Sequence, residues 1–364
     1  MIRILHLMGR APDFQAGRSA ASLARELGAD YEVETRKIGR GEAYRGVPGA
    51  ILGLRGRGAE GFDVVHAWDE TALTVAALAG ARRVVFSPSA SLGRGGIGWL
   101  RAVMNYRDVQ VVAATATQRR TLVERGVPLD RCHLIRPGVE FSRVRRRRDP
   151  ALRAALGLSN EDLVLLAPGE STEAADHALA VHVASILRVL DPWYRLLIWG
   201  RGPKARRAAA LADRVGQHDL VRVAEARLKR RLDFEELLPA ADLVLVTARG
   251  PVATLPIAAC MAAALPIVST VTYTVAELLE DRHTAVMVPK PAPRLVAKRV
   301  LDLRADTQLQ WSISDMARTE AYEYFSHTRF VNQWRGVYRQ VAAGEPVQVV
   351  EPAPGAGLRF HGRG

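Results

Sequence analysis

Three basic side chains stand at glycine turns in the second half of this chain. Arg201 lies between Gly200 and Gly202, Lys204 follows, and Arg249 precedes Gly250. Cationic groups at such turns either contact phosphate or meet only water, and the residue types leave both readings open. The glycines serve the turns in either case. Glu277 is placed to cap a helix or to touch a ribose. In the first half, His66 closes a strand-like run and Asp69 follows it. A histidine at a strand end is either a satisfied structural group or a catalytic contact. One gap matters as much as these groups: from Leu243 to Ala276 there is no Asp or Glu. A ligand bound along that stretch would find no carboxylate for its hydroxyls.

The chain that must position these groups has 364 residues, 48% of them hydrophobic and 24% charged, which suits two soluble domains. Its formal net charge of +13 attracts nucleotide phosphates, anionic lipids or nucleic acid. No recognition helix, zinc spacing or aromatic-basic motif points to nucleic acid, so none is expected as a partner. Cys132 and Cys260 are too far apart in sequence to suggest a disulfide framework or a metal site, and no metal or other cofactor is expected. The opening "MIRILHLM" is too short for a signal peptide, and "LPIAACMAAALPIV" is too short to span a bilayer. The expected location is cytoplasmic. The run "RVRRRRDP" (Arg143 to Pro150) is either a solvated linker or a contact for an anionic membrane at its inner face.

Hydrophobic periodicity supplies the elements. "IRILHLM", "YEVETRKI", "FDVVHAW", "ARRVVF", "VQVVAAT" and "CHLI" predict strands. Helical spacing between them is clearest in "AGRSAASLARELG", where Ala20, Leu23, Ala24 and Leu27 share a face before Gly28. A second alternating series begins at "DLVLLAPG". It continues through "AADHALAVHVASILRVL", "YRLLIWGRGP", "LVRVAEA", "DFEELLPAAD", "LVLVTA", "LPIAACMAAA", "LPIVST", "VAELLED" and "TAVMVP". It ends in the helix "PRLVAKRVLDLRAD" and a long aromatic-rich helical stretch up to Val341. Alternation of this kind predicts an α/β fold of two tandem, Rossmann-like, doubly wound domains facing across a cleft. Ligands of such sheets bind at the carboxyl ends of the strands.

The order of segments resembles the family-4 glycosyltransferases, the glycosyl transferases group 1 with a GT-B fold. "FDVVHAW" is similar to the family's D-V-V-H-A-H strand, and "LIRPGVEF" to its I-P-N-G-V-D turn. "LLIWGRGP" resembles V-I-V-G-D-G-P, and "AACMAAALPIVST" resembles E-A-M-A-C-G-L-P-V-V-A-T. The resemblance implies an acceptor-side domain over 1–148, a nucleotide-sugar-side domain over 149–320 and a helix over 321–343 crossing back. A disordered tail is expected over 344–364. It also implies transfer of a hexose, with retention, from a nucleotide sugar to a glycan or lipid acceptor. The family's Arg and Lys after the first strand of the second domain fall here on Glu170 and about Ala175. Its paired glutamates fall on Pro251 and Ala259, and its Gly-Gly turn on Tyr273 and Thr274. The acids of "GESTEAADH" are expected to sit favourably near a helix N-terminus. A carboxylate left unpaired near a diphosphate would instead repel it, by about 4 kcal/mol at about 4 Å. Two functional readings follow. One is a transferase whose donor site is rebuilt around Gly200, Arg201, Gly202, Lys204, Arg249 and Glu277. The other is a catalytically inactive relative that binds a glycan, nucleotide or protein. A third, weaker reading is an epimerase of the same fold.

Overall fold

The computed structural model describes the chain except for residues 10–12, 40–45, 58–60, 89–91, 146 and 351–364. The chain divides into two compact units. Of the described residues, the first comprises Met1–Gly138 and 327–350, and the second comprises Val139–Ser326. The first unit thus ends before the Arg143–Arg148 run. Val139 already pairs with Ser326 in the second unit.

The first unit is built on a six-stranded parallel sheet. Its strands are β1 (Ile2–Met8), β2 (Tyr31–Lys37), β3 (Val64–Ala67), β4 (Arg83–Phe86), β5 (Asp108–Ala113) and β6 (Cys132–Leu134), in the order β2-β1-β3-β4-β5-β6. Alternate residues of each strand face opposite sides. Leu5 and Leu7 pack with Val65, Val84 and Val111 in one core cluster. Ala50 and Leu54 of α2 (Gly46–Arg57) and Leu73 and Ala76 of α3 (Glu70–Ala79) join that cluster, as do Ile97 and Leu100 of α4 (Arg94–Met104). Ile4, Met8 and Val64 face the other way, against Ala20 and Leu23 of α1 (Phe14–Glu26).

The second unit repeats the plan. Its strands are β7 (Leu163–Ala167), β8 (Tyr194–Ile198), β9 (Val221–Val223), β10 (Leu243–Val246), β11 (Ile267–Thr270) and β12 (Val286–Val288), in the order β12-β11-β10-β7-β8-β9. All pairings in both sheets are parallel. The first strand of each unit lies inside its sheet, between the strand that follows it and a later one. That reversal of strand order is where open α/β sheets leave a crevice. The first unit also holds α5 (Ala116–Glu124), and the second the short helices α6 (Pro150–Ala155) and α9 (Ala224–Leu228). Helices α7 (His177–Leu190) and α8 (Ala205–Arg214) cover one face of the second sheet with α12 (Pro293–Ala305). Helix α10 (Leu255–Ala262) packs against α13 (Thr307–Tyr324).

Three expectations needed adjustment. The long aromatic stretch is two helices, α13 and α14 (His327–Ala343), because the chain breaks at Phe325, whose N–H still reaches Ala321. "DFEELLPAAD" forms a tighter 3-10 turn over Phe234–Ala240, with Pro239 inside it. Residues Glu345–Val350 are coil, yet not loose: Val347 is buried against the core, and Gln340 and Gln333 bond the backbone of Gln348 and Val350. The rest of the expected disordered tail lies outside the described residues. No described helix is long and apolar enough to cross a membrane.

Candidate functional site

The switch point of the second sheet lies at β7, between β8 and β10. The loops that leave the carboxyl ends of these three strands are tied to one another by backbone hydrogen bonds. Ser171 N–H donates to Arg201 C=O at 2.8 Å, and Lys204 N–H donates to Ser171 C=O at 2.9 Å. Arg249 N–H donates to Ala174 C=O at 2.8 Å. The Thr247 hydroxyl donates to the carbonyls of Ala175 and Asp176. The close approach explains one glycine. Gly202 sits at φ +94°, and a Cβ there would lie 2.5 Å from the Ser171 carbonyl oxygen.

This lacing brings together two cations separated in sequence. Both oxygens of Glu173 are engaged: Oε2 lies 2.9 Å from Lys204 Nζ, and Oε1 meets the Arg249 guanidinium. Arg249 Nε also donates to the Glu173 main-chain carbonyl at 3.1 Å. Glu173 is 64% exposed, Lys204 39% and Arg249 50%, so the trio stands at the surface of the crevice. Lys204 is also the residue from which α8 begins.

Arg201 behaves differently. Its Nε lies 2.8 Å from Glu225 Oε1, another nitrogen donates to Leu232 C=O, and the guanidinium lies 4.3 Å over the Trp199 ring. The group is committed to holding the segment before Phe234 and is only one-fifth exposed. Gly200, at φ +107°, lets the chain turn over Val223. Glu277 is buried and ends the short helix α11 (Tyr273–Ala276), whose first turn is capped by the Thr272 hydroxyl. Tyr273 itself is exposed.

A small open pocket of about 20 Å³ is lined by Pro168, Ala175, His177, Thr247, Val252 and Ile257. His177 is the group the sequence did not single out. It is the first residue of α7, and Asp176, in the left-handed region at φ 47°, caps that helix. Its Nδ1 lies 2.7 Å from the Ser171 hydroxyl, and its ring also bonds the Pro168 carbonyl. Burial lowers its pKa to about 4, so the imidazole is neutral near pH 7. The only available signal was its place directly after a capping Asp.

In the first unit, both candidates are engaged with partners inside the fold. His66 is fully buried. Its Nδ1 lies 2.6 Å from the Tyr338 hydroxyl, its Nε2 lies 2.9 Å from the Ser87 hydroxyl, and its ring stacks 3.9 Å from Trp68. Both nitrogens are engaged, and desolvation, aided by neighbouring His6, holds the ring neutral. As folded, it offers no atom to a substrate. Asp69 caps α3 by accepting from Ala72 N–H, and it accepts a second N–H from Gly9. Both of its oxygens serve the backbone.

Residues 163–306 match the family model described as Glycosyl transferases group 1. No curated protein sequence matches the chain significantly. Among solved structures, the fold is similar to HepE of Anabaena in complex with UDP and glucose. The TM-score is 0.74 and the identity 18%, over 93% of this chain and all of that one. It is also similar to sucrose-phosphate synthase of Thermosynechococcus elongatus, at TM-score 0.75 and 15% identity, over 95% and 100% of the two chains. WaaG, a glycosyltransferase involved in lipopolysaccharide biosynthesis, gives 0.70 and 16%, over 93% and 99%. The two-unit α/β architecture is therefore that of the GT-B glycosyltransferases.

Proposed function

We propose that this GT-B protein, whose second unit matches the group 1 glycosyltransferases, binds a nucleotide-sugar donor on that unit and transfers its hexose, with retention, to a glycan or lipid acceptor. The observation that carries the donor assignment is the convergence of Lys204 and Arg249 at the carboxyl ends of β8 and β10, on either side of the switch-point strand. The family's cations would stand after β7, where this chain has Glu170 and Ala175. Lys204 and Arg249 supply equivalent charge from neighbouring loops. Two cations aimed at one anion neutralise a diphosphate and stabilise it as a leaving group. No metal is required for that role. His177, neutral and hydrogen-bonded to the Ser171 hydroxyl, lines the small pocket at the ends of the same strands.

One observation favours the second reading, a GT-B relative that binds without turnover. Ala259, at the second of the family's glutamate positions, is buried in α10 with no carboxylate in its place, and the whole stretch Leu243–Ala276 is free of acids. Donor-sugar hydroxyls would then lack their usual acceptors.

Titration of the full chain with UDP, GDP, ADP and their sugar conjugates, followed by thermal unfolding, separates the readings. A ligand at about 100 times its dissociation constant raises stability by about 2.7 kcal/mol. Selective stabilisation by one nucleotide, lost on combining Lys204→Ala with Arg249→Ala, supports the donor site. Release of free or transferred sugar then supports turnover. No stabilisation by any nucleotide refutes the donor assignment.

Peripheral contact with an anionic membrane is also part of the proposal, on a reduced basis. Arg143 pairs with Asp233 and Arg148 with Asp242, which leaves the exposed Arg145 and Arg147 of the run to meet lipid. Cosedimentation with phosphatidylserine vesicles should fall on replacing both by serine. Unchanged binding would remove the run from the membrane surface.

A further inference from the structure

We infer that Glu173 is a built-in occupant of the anion site, a carboxylate that the donor's diphosphate must displace before Lys204 and Arg249 can hold it. The inference rests on the donor reading above and adds to it a residue that sets donor affinity.

Its basis is the geometry of the trio. A carboxylate presents two oxygens to a pair of cations much as a phosphate group does. Glu173 uses both, one for each cation. The backbones that carry the cations are anchored independently of that carboxylate. Lys204 N–H is bonded to Ser171 C=O, and Arg249 N–H to Ala174 C=O. The Arg249 guanidinium is further held by the Glu173 main-chain carbonyl through Nε. The backbone around Glu173 is fixed as well, since Thr172 Oγ1 accepts from Ala175 N–H. Only the exposed Glu173 side chain needs to rotate for the pair to be vacated. The loops that carry the two cations would then remain in place on either side of an incoming anion.

The same geometry fixes the sign of the effect. With Glu173 in place, the trio carries one net positive charge; with it neutralised, two. A diphosphate therefore competes with a tethered carboxylate and, once bound, lies near a displaced one. Each exposed ion pair is individually weak, so displacement is feasible. Removing both the competition and the residual repulsion should tighten binding by about tenfold.

Calorimetric titration of the full chain with UDP and with inorganic pyrophosphate tests this, comparing the wild type with Glu173→Gln. The expected result is about tenfold tighter binding of both probes by Glu173→Gln. That gain should be larger at low salt than at high salt, and absent when Lys204→Ala and Arg249→Ala are also present. Glu173→Asp, which keeps the charge but shortens its reach, should fall between. Equal or weaker binding by Glu173→Gln overturns the inference, as does a failure of both proteins to bind both probes. If Glu173 only stapled two loops, its replacement would lower the melting temperature without improving affinity, which also overturns it. Tightened pyrophosphate binding without any nucleotide preference would support the inference while refuting the donor reading. Selective UDP binding that Glu173→Gln leaves unchanged would do the reverse.

Discussion

Acidification should unfold the first unit before the second, because among the described residues the first holds three buried neutral histidines and the second one. Burial lowers the pKa of His6 to about 3 and that of His133 to about 4, and it takes His66 well below its ordinary value of 6.5. In the second unit, His177 is lowered to about 4. A histidine depressed in the folded state takes up its proton only on unfolding. Its contribution is complete above the unfolded pKa and is lost as pH falls from about 6.5 towards the folded value. Between pH 6.5 and about pH 5, each such group removes about 1.6 kcal/mol. That amounts to about 3 kcal/mol from His6 and His133, to which His66 adds in the same direction, and under about 2 kcal/mol from the second unit, against a typical domain stability of about 5–15 kcal/mol. Hydrogen exchange followed by mass spectrometry at pH 7, 6 and 5 resolves the two units peptide by peptide. Protection in β1, β3 and α14 should collapse while β7 and β10 stay protected. Replacing His133, which lies 3.0 Å from Gln110 Oε1, by glutamine should remove about a third of the pH slope. Flat protection of the first unit across this range, or earlier loss from the second, would refute the reasoning.

Two further predictions concern the second unit. Arg153 is fully buried and donates to the carbonyls of Ser159, Asp162 and Ala240 and to the Asp242 carboxylate. Arg153→Met should cost about 3–5 kcal/mol in urea unfolding, since those acceptors lose their donor inside the fold; a loss below about 1 kcal/mol would show that they find other partners. Gly202→Ala forces a Cβ against the Ser171 carbonyl at an unfavourable φ, whereas Gly216→Ala, at φ +74°, meets nothing within 4 Å. The first should destabilise by about 2 kcal/mol or more and weaken nucleotide binding, and the second by only about 1 kcal/mol. Equal melting temperatures for the two variants would contradict the loop packing described above.

Much of the fold was legible in the order of residues. Strands such as "IRILHLM" and "LVLLA" are short apolar runs, and a parallel sheet buried on both faces demands such runs locally, so each announces itself. The two α/β series followed from that alternation. Helices α2 and α4 were not legible, because "GVPGAILGLRGR" and "RGGIGWLRAVM" carry glycines that disfavour a helix in isolation. They form because Ala50, Leu54, Ile97 and Leu100 complete the core of the first unit. The break between α13 and α14 was hidden for the opposite reason: helical spacing continues through "EYFSHTRF", and only packing decides where the chain turns.

The site divides along the same line. The sequence alone established a strong positive charge and a stretch from Leu243 to Ala276 without acids, since a missing residue type needs no coordinates to be noticed. The glycines at 200 and 202 announced turns, which are local. What each charged group does was decided by partners tens of residues away. Arg201 is drawn to Glu225 and Trp199, His66 to Tyr338, and Lys204 and Arg249 to Glu173. Electrostatic roles depend on distance in space, and parallel strands place three loops, distant in sequence, at one end of a sheet. The sequence could therefore name the cations, and only the tertiary structure could show which of them share an anion.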